Sequence, residues 1–222
     1  MAKRKLQKFA ELNTFPNVLQ PRQEEYLSNQ YKLKGKWATD FFGNNNPIIL
    51  ELGCGKGEYS LCLARKNPNI NFIGVDIKGE RLWRGGKTAL AEKLENICFL
   101  RIQIEMIPSF FSTNEISEIW ITFPDPQPNK PRIKKRLTSP QFLNRYKSFL
   151  KTDGIIHLKT DNATLFDYTL ETITEENHRL ICETHDLYHS SITGDVLLTQ
   201  THYENIYLAQ GIPICYLKFM LT

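Results

Sequence analysis

Short apolar runs alternate with longer amphipathic stretches from Pro47 onward, and this alternation limits the possible folds more than any other feature of the sequence. A parallel sheet requires it, because each strand returns to the same edge of the sheet through a crossover, usually a helix. The last two apolar runs are separated by a stretch whose helical part is too short for a regular crossover, so we expect the final strand to be antiparallel. The alternation predicts seven strands, at residues 48–52, 72–77, 97–102, 118–123, 154–159, 179–187 and 213–221.

The chain length favours one main domain. With 222 residues the chain can bury a full hydrophobic core, and usual domain sizes favour a single α/β domain over two. Residues 1–35 are predicted to form a basic arm followed by a helix, and residues 36–222 to form the α/β domain. Helical periodicity, which supplies helices for both faces of the sheet, is found at residues 59–66, 79–94, 140–150 and 163–175.

Positive charge is concentrated in two short runs. The sequence carries 28 Lys and Arg against 24 Asp and Glu, a net charge of +4. One basic run is usually a solvated segment, but two runs favour a polyanionic partner such as nucleic acid. The first run comprises Lys3, Arg4, Lys5 and Lys8, and the second comprises the five basic residues within 130–136.

The cysteine and hydropathy patterns favour a cytoplasmic protein. The five cysteines are odd in number and form no Cys-x-x-Cys pair, which is typical of reduced thiols. No apolar run approaches the length of a membrane span, and the basic N-terminus lacks the apolar core of a signal peptide. His185 and His189 have no nearby partner with the spacing of zinc ligands, so we predict no metal site.

A glycine-rich turn follows the first predicted strand directly. Residues 48–52 run into Gly53, Gly55 and Gly57, where backbone amides can approach a ligand at the carboxyl end of the sheet. Asp76 ends the second strand about 20 residues further on, where a carboxylate can accept hydrogen bonds from both hydroxyls of a ribose. This combination predicts a cofactor of nucleotide type, and NAD would use the same carboxylate.

Two carboxylates near the turn separate the candidate cofactors. Glu58 stands where a dinucleotide fingerprint has Gly or Ala, and Glu51 lies two residues before the first glycine. Both would repel a pyrophosphate. S-adenosylmethionine carries a sulfonium and an ammonium, which a carboxylate attracts through charge-assisted hydrogen bonds. The charges therefore favour S-adenosylmethionine over NAD.

Asp125 lies between Pro124 and Pro126, directly after the fourth predicted strand. The two prolines fix φ and restrict the preceding residues, so the carboxylate is held at the carboxyl edge of the sheet. A proline-rich turn that carries a solvated Asp is the plain alternative. The position beside the predicted cofactor pocket favours a functional role.

Five motifs together resemble the bacterial tRNA (guanine-N7)-methyltransferases, which install 7-methylguanosine at position 46 of the variable loop. They occur in the family's order and approximate spacing and cover residues 47–221. The resemblance implies a Rossmann-like S-adenosylmethionine-dependent methyltransferase fold and a tRNA partner. The motifs are Glu51-Leu-Gly-x-Gly-x-Gly57, Phe123-Pro-Asp-Pro126, Lys134-Lys-Arg-Leu137, Leu158-Lys-Thr-Asp-Asn162 and Thr201-x-Tyr-Glu204.

The resemblance also implies roles for individual residues and places Asp125 at the reacting centre. The residues expected to hold the donor are Glu51, Gly53, Gly55, Asp76, Gln103 and Asp125. The residues expected to bind the substrate guanosine are Asn129, Lys130, Asp161, Thr201, Tyr203 and Glu204.

Three positions depart from the family pattern. Gln103 stands where the family usually has an Asp near the adenine, although its amide oxygen can still accept from the adenine amino group. Gln127 replaces a Trp. Asn129 replaces a substrate-binding Lys, for which the following residue, Lys130, can substitute after a small loop shift. We expect these three differences to affect the affinity for the substrate.

Helix caps are the alternative interpretation of the later motifs. Asp161 or Asn162 has the right position to cap the helix that follows. Thr201 can cap the last helix, with Glu204 at its third position completing a capping box. Without the resemblance, the capping roles would be the preferred interpretation.

Other functions remain open at the level of sequence. The glycine motif alone also fits a methyltransferase of another RNA, a protein or a small molecule, but the basic run at residues 130–136 favours RNA. An RNA-binding module that has lost catalysis is the alternative from another class, suggested by Gln103 and Asn129. We expect a monomer or a homodimer.

Overall fold

The structure, a computed structural model, describes residues 2–27, 31–197 and 199–222. Its backbone divides into two compact units, Met1–Ser112 and Thr113–Thr222. The boundary at residue 35 between an arm and a domain stays a prediction.

The first unit carries four parallel strands in the order β1-β4-β3-β2. Every residue of β2 and β3 is buried, as expected for parallel strands with both faces covered. A π-helical turn, Trp37–Phe41, and a 3-10 turn, Ile104–Ser109, complete the unit. Its strands and helices are α1 (Ala2–Leu12), β1 (Val18–Leu19), α2 (Gln23–Leu27), β2 (Ile48–Leu52), α3 (Glu58–Lys66), β3 (Asn71–Asp76), α4 (Gly79–Ala91) and β4 (Ile97–Arg101).

The N-terminal helix α1 packs on α4 through one polar cluster. Glu11 accepts hydrogen bonds from the Trp83 indole N–H (2.9 Å) and from Lys87 Nζ (2.8 Å). Lys8 Nζ lies 2.8 Å from Glu80, and the ammonium groups of Lys8 and Lys87 lie 5.0 and 4.9 Å from the Trp83 ring centroid. Part of the first basic run is therefore used to hold α1. The side chains of Lys3, Arg4 and Lys5 lie outside the described residues.

The second unit combines parallel and antiparallel pairing in the order β5-β6-β8-β7. Strand β6 is parallel to β5, and β8 is antiparallel to both β6 and β7, which confirms the antiparallel final strand. Three 3-10 turns lie at Lys130–Lys135, Leu187–His189 and Asp195–Leu197. The strands and helices are β5 (Ile116–Thr122), α5 (Pro140–Lys147), β6 (Leu150–Thr160), α6 (Ala163–Glu175), β7 (Arg179–Thr184), α7 (His202–Ala209) and β8 (Cys215–Met220).

The observed elements differ from the predicted ones in the number of strands and in several boundaries. The described residues contain eight strands rather than seven, because β1 has only two residues and leaves no periodic signal. The strand predicted at residues 179–187 ends at Thr184, since Asp186 accepts from the His189 N–H and caps a 3-10 turn. The helix predicted to reach residue 150 ends at Lys147, because Leu150 already pairs with β5.

Candidate active site

The glycines of the turn after β2 serve two different purposes. All three have positive φ, +76° at Gly53, +58° at Gly55 and +71° at Gly57. A Cβ at Gly57 would lie 2.4 Å from the Phe99 ring, so this glycine is required by packing. A Cβ at Gly53 or Gly55 would meet no atom within 4 Å. These two glycines leave open space in which a ligand can approach the backbone.

Asp76 holds the glycine turn in shape. One of its carboxylate oxygens accepts from the Gly55 N–H (2.9 Å) and the other from the Lys78 N–H (2.7 Å). A carboxylate has about four lone-pair sites, so these bonds leave capacity for ribose hydroxyls. The next residue, Ile77, exposes 47% of its surface and offers an apolar face beside the carboxylate. The sequence motifs do not include Ile77, although it directly follows Asp76.

Glu51 is buried and connects β2 to the start of α3. Its Oε2 accepts from the Ser60 backbone N–H (3.0 Å) and from the Ser60 hydroxyl. The sequence indicated an attraction for a cationic ligand but gave no sign of the Ser60 contact. Gln103 is exposed and precedes the 3-10 turn after β4.

The parallel register brings the predicted donor residues of the first unit to one edge. Leu52 pairs with Val75, and Asp76 pairs with Arg101, so β2, β3 and β4 end together. The donor residues of this unit, Glu51, Gly53, Gly55, Asp76 and Gln103, all lie at or just beyond these strand ends.

The loop after β5 presents an exposed carboxylate on a strained backbone. Asp125 is exposed, and its Oδ1 accepts from the Gln127 N–H at 3.0 Å. Phe123 has φ +48° and Gln127 has φ +45°, a region that side chains other than glycine rarely adopt. Such strain persists only when surrounding contacts enforce it, and it is common at functional sites.

Two contacts from other parts of the second unit brace this loop. The Phe123 N–H donates to the Lys159 carbonyl at 2.8 Å. Arg136 Nε donates to the Pro126 carbonyl at 3.0 Å, and its guanidinium lies 4.3 Å from the Tyr168 ring centroid. Arg136 is only 5% exposed. The sequence places Arg136 in a basic run that favours a polyanionic partner, and it does not reveal this role, because Tyr168 lies far along the chain.

The rest of the basic run faces solvent. Lys130 lies in the 3-10 turn after the Asp125 loop, and Asn129 directly precedes that turn. Both side chains are exposed. The other exposed cations of the run are Arg132, Lys134 and Lys135.

Of Asp161 and Asn162, the residue that caps the following helix is Asn162. The Asn162 side chain accepts from the Leu165 N–H at 2.8 Å and caps α6. Asp161 is half-buried, and this burial raises the pKa of its carboxyl group. Thr122 pairs with Lys159, so β5 and β6 end together and place Asp125 and Asp161 after adjacent strand ends.

Thr201 and Glu204 form a capping box at the start of α7, which confirms the capping interpretation. The Glu204 N–H donates to the Thr201 hydroxyl at 3.3 Å, and the Thr201 N–H donates to Glu204 Oε2 at 3.2 Å. Glu204 is completely buried, and its Oε1 lies 2.6 Å from Lys159 Nζ. Its carboxylate therefore meets protein partners. Tyr203, between them, is 55% exposed.

The described residues contain no group of three or more His, Cys, Asp or Glu side chains placed to hold a metal ion. None of their helices is long and apolar enough to cross a membrane.

Comparisons with known proteins identify relatives of the chain in sequence and in fold. A family model described as "Putative methyltransferase" matches residues 45–217. The tRNA (guanine-N(7)-)-methyltransferase of Christiangramia forsetii is 54% identical over 221 residues, 99% of each chain. The protein of the same name from Bacteroides thetaiotaomicron is 48% identical over all of this chain and 87% of its own length. Among solved structures, the 16S rRNA methyltransferase KamB has a TM-score of 0.63 at 13% identity, covering 92% of this chain and 95% of its own.

The fold is that of the Rossmann-like S-adenosylmethionine-dependent methyltransferases. Within this class, the sequence identity over nearly the full length is decisive. The chain belongs to the tRNA (guanine-N(7)-)-methyltransferase family.

S-adenosylmethionine is the cofactor, and the residues of the first unit fit it. Gly53 and Gly55 leave the space that a bound molecule requires beside the backbone. Asp76 retains acceptor capacity for ribose hydroxyls, and Ile77 offers an apolar surface to a flat base. The buried carboxylate of Glu51 supplies negative charge for a cationic donor.

Proposed function

We propose that this protein transfers a methyl group from S-adenosylmethionine to N7 of guanosine in tRNA, at position 46. The observation that carries the proposal is Asp125, an exposed carboxylate on a strained and braced loop, in a chain 54% identical to a curated tRNA (guanine-N(7)-)-methyltransferase.

The reaction requires little from the protein beyond positioning of the two reactants and stabilisation of the developing charge. The N7 atom of guanine has a lone pair and carries no proton, so the protein need not supply a base. The bound donor supplies a methyl group already activated by the sulfonium. Holding the two reactants in line can lower the barrier by about 7–11 kcal/mol.

Asp125 has two roles in this mechanism. Methylation turns the neutral base into a cation, and a fixed carboxylate stabilises the positive charge that develops in the transition state. The same carboxylate can accept from the N1 and N2 hydrogens of guanine, whereas adenine has no donor at N1. The Gln127 N–H holds one carboxylate oxygen in place for these tasks.

The exposed cations beside the Asp125 loop supply affinity for the RNA backbone. No described residue forms an ion pair with Lys130, Arg132, Lys134 or Lys135. Each cation that contacts a phosphate should contribute about 0.7–0.9 to the slope of log affinity against log salt concentration. Methyl transfer that is indifferent to salt would contradict this part of the proposal.

Nucleoside analysis tests the proposed reaction directly. Purified protein is incubated with labelled donor and an unmodified tRNA transcript, and the digested nucleosides are separated. We expect 7-methylguanosine, and we expect none from a transcript whose guanosine at position 46 is replaced by adenosine. A different methylated nucleoside would reassign the substrate. Donor binding by calorimetry without any product would favour an RNA-binding module that has lost catalysis.

A further inference from the structure

A buried ion pair joins the end of β6 to the start of α7. Lys159 and Glu204 are both 0% exposed, and Lys159 Nζ lies 2.6 Å from Glu204 Oε1. Removing two charges from water is costly, and an apolar pair of similar volume is often as stable. Stability alone therefore does not explain why a charged pair occupies this place.

The pair fixes the segment that leads from β7 to α7. Lys159 Nζ donates to the carbonyls of Val196 (2.9 Å) and Thr199 (3.3 Å). Glu204 Oε1 accepts from the Tyr188 hydroxyl at 2.7 Å, and its Oε2 accepts from the Thr201 N–H. Two buried side chains thus hold four points of one segment against the end of β6.

Lys159 also contacts or adjoins three segments that carry predicted site residues, namely the Asp125 loop, Asp161 and α7. Its carbonyl accepts from the Phe123 N–H at the strained entry of the Asp125 loop. Asp161 follows two residues later in the chain. Its ammonium reaches α7, where Tyr203 exposes its ring.

We propose that the Lys159–Glu204 pair is a positioning device for the substrate guanosine, and that Glu204 acts through Lys159 without contacting the base. This inference rests on the proposed function. The buried carboxylate turns toward Lys159, Tyr188 and the Thr201 amide, which leaves the exposed Tyr203 on the same helix to face the RNA. The charged pair sets the direction of α7 relative to Asp161, which an apolar pair would leave undefined.

A double-mutant cycle distinguishes positioning from direct contact. The variants are Lys159→Met, Glu204→Gln and the two combined, because Gln preserves the capping box and the combined variant has no unpaired buried charge. If Glu204 acts through Lys159, then Glu204→Gln lowers kcat/KM for tRNA in the parent but causes no further loss in the Lys159→Met background. Equal losses in both backgrounds would mean that Glu204 contacts the substrate directly, and would overturn the proposal.

The combined variant separates positioning from folding. We expect its melting temperature to be close to that of the parent and its affinity for S-adenosylmethionine to be unchanged. The value of kcat/KM for tRNA should fall by about 10²-fold, because the groups that position the guanosine are displaced. The matched control is Lys87→Met/Glu11→Gln, which removes the exposed pair between α4 and α1. A folded combined variant with parental kcat and KM would refute the proposal. Loss of active protein with an unchanged KM would assign the pair a purely structural role and refute it equally.

Tyr188→Phe keeps the proposal testable if the charge variants do not fold. It removes one hydrogen bond to Glu204 and keeps the ring, whose centroid lies 5.7 Å from Lys159 Nζ. The expected result is a loss of about tenfold in kcat/KM for tRNA, with donor affinity unchanged. Parental kinetics would contradict the inference. A parent that makes no 7-methylguanosine would instead defeat the proposed function.

Discussion

The loops after β2 and β5 both turn through left-handed backbone, but they reach it in different ways. The loop after β2 places glycine at each such position, where the conformation has little steric cost. The loop after β5 uses Phe123 and Gln127, and a side chain there costs about 1–3 kcal/mol. The first conformation therefore carries little strain, although Asp76 also holds it through the Gly55 N–H. The second depends on contacts from Lys159 and Arg136, which lie elsewhere in the chain.

The loop that is predicted to bind the donor and the loop that carries Asp125 therefore differ in the strain energy of their conformations. The glycine loop adopts its conformation without strain at positions that carry a side chain. The Asp125 loop keeps its conformation only while the second unit packs correctly around it. Substitutions that loosen this packing should therefore reduce methyl transfer while donor affinity is kept.

The largest expected effect follows from removing the carboxylate itself. Asp125→Ala should lower the rate of methyl transfer by about 10²- to 10³-fold, because it removes the group that stabilises the cationic transition state. The exposed side chain has no role in the core, so the melting temperature should hardly change. Single-turnover kinetics with labelled donor measures the rate. A folded variant with near-normal turnover would show that Asp125 is not at the reacting centre.

Within the glycine loop, substitution should cost the most stability at Gly57, which packs against Phe99. Gly57→Ala places a Cβ against Phe99 and should lower the free energy of unfolding by about 1–3 kcal/mol through overpacking, with weaker donor binding. Gly43→Ala is the matched control, since its φ is +67° and its Cβ would meet nothing within 4 Å. Urea unfolding and donor calorimetry measure both effects. If the two variants lose equal stability, the cost comes from φ alone and not from the contact with Phe99.

Removing the Arg136 contacts that hold the Asp125 loop should lower the rate of methyl transfer more than the stability of the fold. Arg136→Met removes the hydrogen bond to Pro126 and the cation over Tyr168, and we expect roughly a tenfold loss in kcat as Asp125 loses its alignment. Arg145→Met is the control, because its guanidinium lies 4.9 Å from the Phe142 ring without touching the loop. Steady-state kinetics at saturating donor compares them. Equal kcat values for the two variants would show that Arg136 does not align the loop.

The smallest expected effect is a gain in stability. Gln127→Gly removes a side chain from a left-handed position and should raise the free energy of unfolding by about 1 kcal/mol. The variant should methylate tRNA slightly more slowly than the parent, because its Asp125 loop is less constrained. Denaturation and initial rates test the two halves of this prediction. A loss of stability would mean that the Gln127 side chain makes a contact worth more than the strain.

The sequence predicted those features whose causes lie close together in the chain. The alternation of apolar and amphipathic segments defines β2, β3 and β4 because each buried run signals its own strand. The glycine turn and Asp76 follow from short motifs of the same kind. The two-residue strand β1 leaves no such signal, since it is defined only by its pairing with β4.

The roles of Arg136 and Glu204 could not be predicted in the same way. Arg136 looks like one more cation of a basic run, and its partners Pro126 and Tyr168 are known only once the chain has folded. Glu204 resembles a polar site residue in its motif, yet its burial results from Lys159, which is 45 positions earlier. A motif identifies the residues that matter, whereas tertiary contacts decide what each one touches.

The docking of α1 on α4 gives the protein an intrinsic optical reporter. The chain has three tryptophans, of which Trp37 and Trp120 are buried in the core. The third, Trp83, is partly exposed, and its ring environment is built from Glu11, Lys8 and Lys87. The fluorescence of Trp83 should therefore change when α1 moves away from α4. The position of the first basic run can thus be followed during RNA binding without an added label.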